Sequence, residues 1–143
     1  MTLLNRFKQR CTDDRTSGAR GRQRGEEEAA ARVRGKHYVD WIETLNRWRS
    51  EGRDDESLEL LLEIIDAAER HARVVGWEPA PGYTHRAAVI FRRRGDYAAE
   101  VAIIERWLAA CPPERRGPRA TQSKLAVRLV KARELLALQN RRQ

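Results

Sequence analysis

The histidines and cysteines of this chain are its first candidates for chemistry, and their spacing argues against an active site. His37, His71 and His85 form no HExxH motif, no GxSxG motif is present, and no glycine-rich loop follows a strand-like segment. Cys11 and Cys111 lie 100 positions apart without a CxxC motif, which indicates two free thiols in a reducing compartment. The apolar runs are far shorter than the roughly 20 residues of a membrane helix. We therefore expect a cytoplasmic protein that is not an enzyme and holds no metal ion or cofactor.

Arginine is the other residue type that could do chemistry, because its guanidinium group binds carboxylates and phosphates through paired hydrogen bonds. It supplies 25 of the 29 basic side chains, and the net charge of the chain is +8. The charge is uneven: +5 over residues 1–36, −5 over 37–76, +1 over 77–111 and +7 over 112–143. The two basic ends could meet a polyanion or fold back on the acidic segment. The residues of this candidate basic patch are Arg20, Arg22, Arg24, Lys124, Arg128 and Lys131.

The elements that must position these side chains follow a repeated layout. Each of two stretches has an apolar helix pattern, a turn with glycine and aspartate, and a second apolar helix pattern, and the turn glycines Gly52 and Gly95 lie 95 − 52 = 43 positions apart. Such a period is typical of stacked helical hairpins, which present binding surfaces. The matching residues are Trp41, Leu45 and Trp48 in the first stretch, and Thr84, Ala88 and Phe91 in the second.

The sequence predicts an all-α domain over residues 26–140 behind a disordered basic arm over residues 1–25. Residues 13–25 hold three glycines, four arginines and no large apolar side chain, so they cannot bury enough surface to offset the entropy of ordering. A helix is expected to start at residues 26–28 and to weaken or break at Gly35. Apolar residues at three- and four-residue spacing predict further helices over 36–51, 55–75, 82–94, 97–111 and 122–139.

The layout resembles the tetratricopeptide repeat superfamily. Trp41, Leu45, Trp48 and Gly52 carry the resemblance in the first unit, and the stretch PGYTHRAAVIFRRRGDYAAEVAIIERWLAACP follows the family pattern in the second. The segment from Gly35 to about Leu136 is also similar to a helical module of actinobacterial and phage proteins. The resemblance implies two antiparallel helical hairpins. The apolar stripe over 122–139, flanked by basic residues, predicts a C-terminal capping helix with a basic outer face.

The resemblance also implies a concave groove lined by the first helix of each hairpin, where a partner segment binds. An asparagine with neighbouring arginines there could hold a carboxylate, and the alternative is that these are solvated positions on amphipathic helices. The groove residues that it implies are Glu43, Asn46, Arg49, His85, Arg86, Val89, Arg92 and Arg93.

Glu100 stands where the family usually has a small residue in the helix-packing face. If it is buried it needs a donor, and the candidates are Arg86, Tyr83 and Tyr38; a structural bond between helices is favoured over a functional role. Trp77 is expected to hold the link between the hairpins. The aromatic residues expected in the core are Tyr38, Trp41, Trp48, Tyr83, Phe91, Tyr97 and Trp107.

These patterns favour a protein–protein interaction module, an adaptor or regulatory protein, that binds a protein or peptide partner with an acidic or C-terminal segment. The alternative is a nucleic-acid-binding accessory protein that uses its basic arm and its terminal helix on phosphates. The oligomeric state stays open, with a homodimer among the options.

Overall fold

The computed structural model describes residues 18–115 and 120–143, and the chain is built almost entirely of helices. This confirms the prediction of an all-α protein. Residues 18–30 form helix α1. There follow strands β1 (Arg32–Val33) and β2 (Lys36–His37), a 3₁₀ turn (Tyr38–Trp41), helices α2 (Ile42–Ser50), α3 (Asp54–Val75), α4 (Pro81–Arg93) and α5 (Tyr97–Ala110), a second 3₁₀ turn (Pro113–Arg115) and helix α6 (Ala120–Arg141).

The N-terminal part of the chain differs from the prediction. Residues 18–25 belong to α1 and not to a disordered arm, while residues 1–17 of that predicted arm lie outside the described residues. The predicted domain start at residue 26 therefore falls inside a helix. Arginine, glutamine, glutamate and alanine make up most of α1 and have high helix propensity, which outweighs the cost of Gly21 and Gly25.

A short β-hairpin separates α1 from α2, where the sequence predicted a helix from residue 36. Arg34 and Gly35 both have positive φ, 49° and 85°, and form the two-residue turn between β1 and β2. Positive φ at both central positions suits the right-handed twist of a hairpin. Two residues per strand are too few to show an alternating pattern, so no strand was predictable here. Helix α2 accordingly begins only at Ile42.

The two glycine turns of the repeat have the same backbone hydrogen bonds. Gly52 and Gly95 both have φ of 70°, as the predicted left-handed turns require. In both turns the amide of the residue after glycine donates to the carbonyl five positions earlier, at 2.8 Å and 2.9 Å. The glycine amide donates to the carbonyl three positions earlier, at 3.2 Å and 3.0 Å. Both turns are therefore Schellman motifs that direct the chain into a second helix.

Helix α5 packs against α4 and α6, and helix α3 packs against α2 and α4. The buried apolar side chains of α3 fall on one broad stripe: Leu60, Leu61, Ile64, Ile65, Ala67, Ala68 and Ala72. Helix α6 contributes Leu125, Leu129 and Ala132 to the core and packs on α4 and α5. The outer surface of α6 is not uniformly basic, since Val127, Val130 and Leu138 are exposed on it.

The aromatic residues follow the prediction in most positions. Tyr38, Tyr83 and Trp107 are buried, and Trp41, Trp48 and Phe91 are partly buried against the core, while Tyr97 is half-buried. The prediction for Trp77 is wrong, because its side chain is 57% exposed and lies beneath the Arg115 guanidinium, 4.5 Å from the ring centroid. The link between α3 and α4 is instead held by Trp107, whose Nε1 donates to the Pro79 carbonyl at 2.9 Å.

Many arginines serve as bridges between helices. Arg106 of α5 pairs with Asp66 and Glu69 of α3, and Arg133 of α6 lies 2.8 Å from Glu105 of α5. The hydrogen bond to Glu69 is the largest effect that raises the pKa of Arg106. These two arginines therefore pair with carboxylates of the chain itself.

Candidate binding cleft between α2 and α4

A cleft of about 120 Å³ opens between α2 and α4, above the first turns of α3. Its buried lining residues form an apolar floor with one serine: Leu45, Ser57, Leu61 and Ile90, with Val89 half-buried beside them. Its more exposed lining residues form a polar rim: Arg49, Asp54, His85, Arg86 and Arg93. The glycine turn at Gly52 places the end of α2 beside the start of α3, which brings Arg49 and Ser57 to the same cleft.

The structure brings together five of the eight groove residues that the resemblance implied: Arg49, His85, Arg86, Val89 and Arg93. Asn46 lies at the edge of the cleft, because its Oδ1 accepts a hydrogen bond from Arg86 Nη1 at 2.9 Å. Glu43 is exposed on α2 and is not part of the cleft lining. The resemblance placed these residues in one groove, but it did not reveal the depth of the cleft or its floor.

Arg92 was wrongly assigned to the groove. Its Nε donates to Glu100 Oε2 at 3.0 Å and its Nη2 donates to the Arg128 carbonyl at 2.9 Å. The side chain therefore points toward α5 and α6, away from α2. The sequence signal that could have found this was the buried position of Glu100, which requires a cation nearby.

Glu100 is completely buried between three helices and is held by two arginines. Its Oε1 lies 2.8 Å from Arg92 Nη2 of α4 and 3.2 Å from Arg128 Nε of α6. These two contacts depart from hydrogen-bond directions and act as ion pairs, whereas the Oε2 contact is a hydrogen bond. The donors expected from the sequence, Arg86, Tyr83 and Tyr38, are not the ones used. The structural role favoured for Glu100 agrees with this geometry.

Charge in the cleft is positive on balance. Arg93 is neutralised by Asp54, whose Oδ1 lies 2.8 Å from Arg93 Nη2. Among the described residues, no hydrogen bond or ion pair joins the side chain of Arg49, while Arg86 contacts the neutral amide of Asn46. Two guanidinium groups therefore lack a counter-charge on one rim. An anion that enters the cleft would meet both of them.

Burial is the main effect that lowers the pKa of His85, and Arg128 and Lys124 add to the shift, which favours the neutral imidazole. In that form it offers one donor and one acceptor to a ligand and adds no charge to the cleft.

One buried polar group of the cleft lacks a partner within the described part of the chain. Ser57 is 4% exposed, and its Oγ makes no hydrogen bond. Trp48 Nε1 is also buried without a hydrogen-bond partner among the described residues, but Trp48 does not line the cleft. Buried hydroxyl groups usually have a hydrogen-bond partner. Because the Ser57 hydroxyl has none among the described residues, it can donate to a group that enters the cleft.

The candidate basic patch does not form as predicted. Arg20, Arg22 and Arg24 are exposed on α1, and Lys124 is exposed on α6. Lys131 is exposed but pairs with Glu134 at 3.6 Å. Arg128 is directed inward to Glu100, its side chain is only 17% exposed, and burial is the main effect that lowers its pKa. Of the three α6 residues expected to contact phosphates, Lys124, Arg128 and Lys131, Arg128 therefore contacts Glu100 instead.

In residues 18–115 and 120–143, no group of three histidine, cysteine, aspartate or glutamate side chains could hold a metal ion. No helix within these ranges is long and apolar enough to cross a membrane. No protein-family model, curated protein or solved structure matches this chain.

Proposed function

We propose that this chain is a protein–protein interaction module whose α2–α4 cleft binds an acidic segment of a partner. The observation that carries the proposal is the cleft itself, which combines an apolar floor with two guanidinium groups that lack a counter-charge. Small concave sites with apolar walls and a few placed polar groups are typical of binding sites. We further propose that the two helix pairs, α2–α3 and α4–α5, are tetratricopeptide-like units of a cytoplasmic adaptor or regulatory protein.

The repeated Schellman turns support the tetratricopeptide-like arrangement. They set the same exit direction after α2 and after α4, so α3 and α5 leave their turns in the same way. Residues of α2 and α4 line the cleft, and the bond between Asn46 and Arg86 joins the two helices.

The proposal is tested by affinity capture from the native host after nuclease treatment, with quantitative mass spectrometry. The test variant is the double change Arg49→Ala with Arg86→Ala, which leaves every ion pair of the described structure intact. The matched control is Arg73→Ala with Arg142→Ala, which removes two arginines that do not line the cleft. We expect at least tenfold less partner on the test variant and no loss on the control. Equal capture by both variants would exclude the cleft.

Binding through the basic ends is the alternative that the same experiment reveals. Arg20, Arg22 and Arg24 are exposed together on α1, which is the observation that favours it. Binding to phosphates through six or more contacts would fall by roughly a thousandfold between 50 and 200 mM salt. Capture that disappears on nuclease treatment or follows this salt dependence would replace the peptide proposal with the nucleic-acid one.

A further inference from the structure

The two helix pairs differ at one equivalent position, and the difference defines what the cleft lacks. Arg49 and Ser57 flank the first Schellman turn, and Arg92 and Glu100 flank the second. The positions are equivalent, because Arg92 follows Arg49 by 43 residues and Glu100 follows Ser57 by 43 residues. In the second pair a carboxylate fills the space beside the arginine, with Arg92 Nε 3.0 Å from Glu100 Oε2. In the first pair the shorter Ser57 leaves that space empty, and the cleft lies there.

We propose that this space binds the carboxylate of an aspartate or glutamate side chain from a partner, in the place that the Glu100 carboxylate fills in the second pair. The inference rests on the proposed function and specifies its ligand. The Ser57 hydroxyl and the Arg49 guanidinium are the donors, and both lack a partner within the described part of the chain. A carboxylate accepts from such donors through charge-assisted hydrogen bonds.

The remaining lining residues fit the rest of an acidic side chain. Leu61, Val89 and Ile90 contribute apolar surface for its methylene groups. The cleft volume of about 120 Å³ suits one side chain and not a folded element. Asp54 would repel an incoming carboxylate if it were free, but Arg93 compensates its charge at 2.8 Å.

The first test supplies the missing carboxylate from the chain itself. Ser57→Glu places a glutamate at the position equivalent to Glu100, beside Arg49. We expect its melting temperature to exceed by several degrees that of the isosteric control Ser57→Gln, which has the same shape without the charge. The advantage should disappear when Arg49→Ala is added to both variants. A glutamate variant that is less stable than the glutamine variant with Arg49 present would overturn the proposal.

The second test measures ligand binding by NMR titration of the full chain. The probe is glutamate blocked as its N-acetyl N-methylamide, and the control is glutamine blocked in the same way. We expect saturable shifts of the Ser57 amide and the Arg49 Nε–H resonance with blocked glutamate, and at least tenfold weaker binding of blocked glutamine. The Ser57→Glu variant should lose the response, because its own carboxylate occupies the space. Equal binding of both probes, or binding retained by this variant, would overturn the proposal.

Two further probes distinguish other sources of negative charge. N-acetyl-leucine carries a terminal carboxylate, and inorganic phosphate carries a phosphate group. Tighter binding of either one than of blocked glutamate would overturn the assignment to an acidic side chain. The outcomes also separate the two proposals. Selective binding of blocked glutamate with no partner captured from the host would refute the proposed function alone, whereas capture that Ser57→Glu leaves unchanged would refute this inference alone.

Discussion

Replacing Glu100 by methionine should destabilise the fold strongly, because it leaves two arginines in the helix interface without their counter-charge. The Glu100 side chain is 0% exposed, and those of Arg92 and Arg128 are 27% and 17% exposed. Removing one partner of a buried ion pair costs about 3–5 kcal/mol, and the partial exposure of both arginines favours the lower end, about 3 kcal/mol. For a domain of this size that corresponds to a fall in melting temperature of about 10 °C.

Thermal unfolding followed by circular dichroism at pH 7 measures this change, with two comparison variants. Glu105→Gln removes an exposed ion pair to Arg133 and should cost less than about 1 kcal/mol. Glu100→Met combined with Arg92→Leu and Arg128→Met should recover most of the loss, since replacing a whole buried charge cluster by apolar residues is often close to neutral. A single Glu100→Met variant that melts within a degree of wild type would refute the buried cluster.

Three other changes test the turns, the cleft and the terminal helix. Gly95→Val should lower the free energy of unfolding by about 1–2 kcal/mol through backbone strain alone, because φ is 70° and nothing lies within 4 Å of an added Cβ. The control Gly95→Asn should cost less, and equal melting temperatures of the two variants would contradict the left-handed turn. His85 should make the protein less stable as the pH falls below about 6.5, since its folded pKa lies below the unfolded value. His85→Gln should therefore reduce the fall in melting temperature between pH 7.5 and 5.5, and an unchanged fall would contradict the lowered pKa. Removal of residues 120–143 should cause aggregation or dimerisation on size-exclusion chromatography, because α6 covers α4 and α5.

The helices were predictable because the apolar periodicity and the residues typical of helix ends indicate the same helix bounds. Glycine at Gly52 and Gly95 ends the first helix of each pair in the left-handed conformation, and Asp96 caps the next helix by accepting from the Ala99 amide at 3.1 Å. The observed α3, α4 and α5 lie within two residues of their predicted bounds. The short hairpin at Arg34 and Gly35 was not predictable, because two-residue strands have no period and Arg34 adopts a positive φ that its residue type rarely takes.

The cleft was predictable in part, because helix phase decides which surface a residue lies on but not how far its side chain reaches. Arg92 and Arg93 are neighbours on α4, yet Arg92 extends to Glu100 and Arg93 extends to Asp54. The partner of a long flexible side chain depends on tertiary contacts, and the neighbouring residues in the sequence do not determine these contacts. Ser57 was not predicted as a cleft residue for a related reason: a small side chain is typical of a position between packed helices, and the space beside it is bounded by residues of α2 and α4.

The most direct test of the central claim is site-specific photo-crosslinking in the native host. A photoreactive side chain at Asn46 lies at the edge of the α2–α4 cleft beside Arg86, and comparison positions at Arg73 on α3 and Lys131 on α6 do not line the cleft. We expect a crosslink to a partner protein from position 46 that survives nuclease treatment and decreases when Ser57→Glu is added. No crosslink is expected from position 73 or 131. A crosslink from position 131 with none from position 46 would contradict the account and place the partner on the terminal helix.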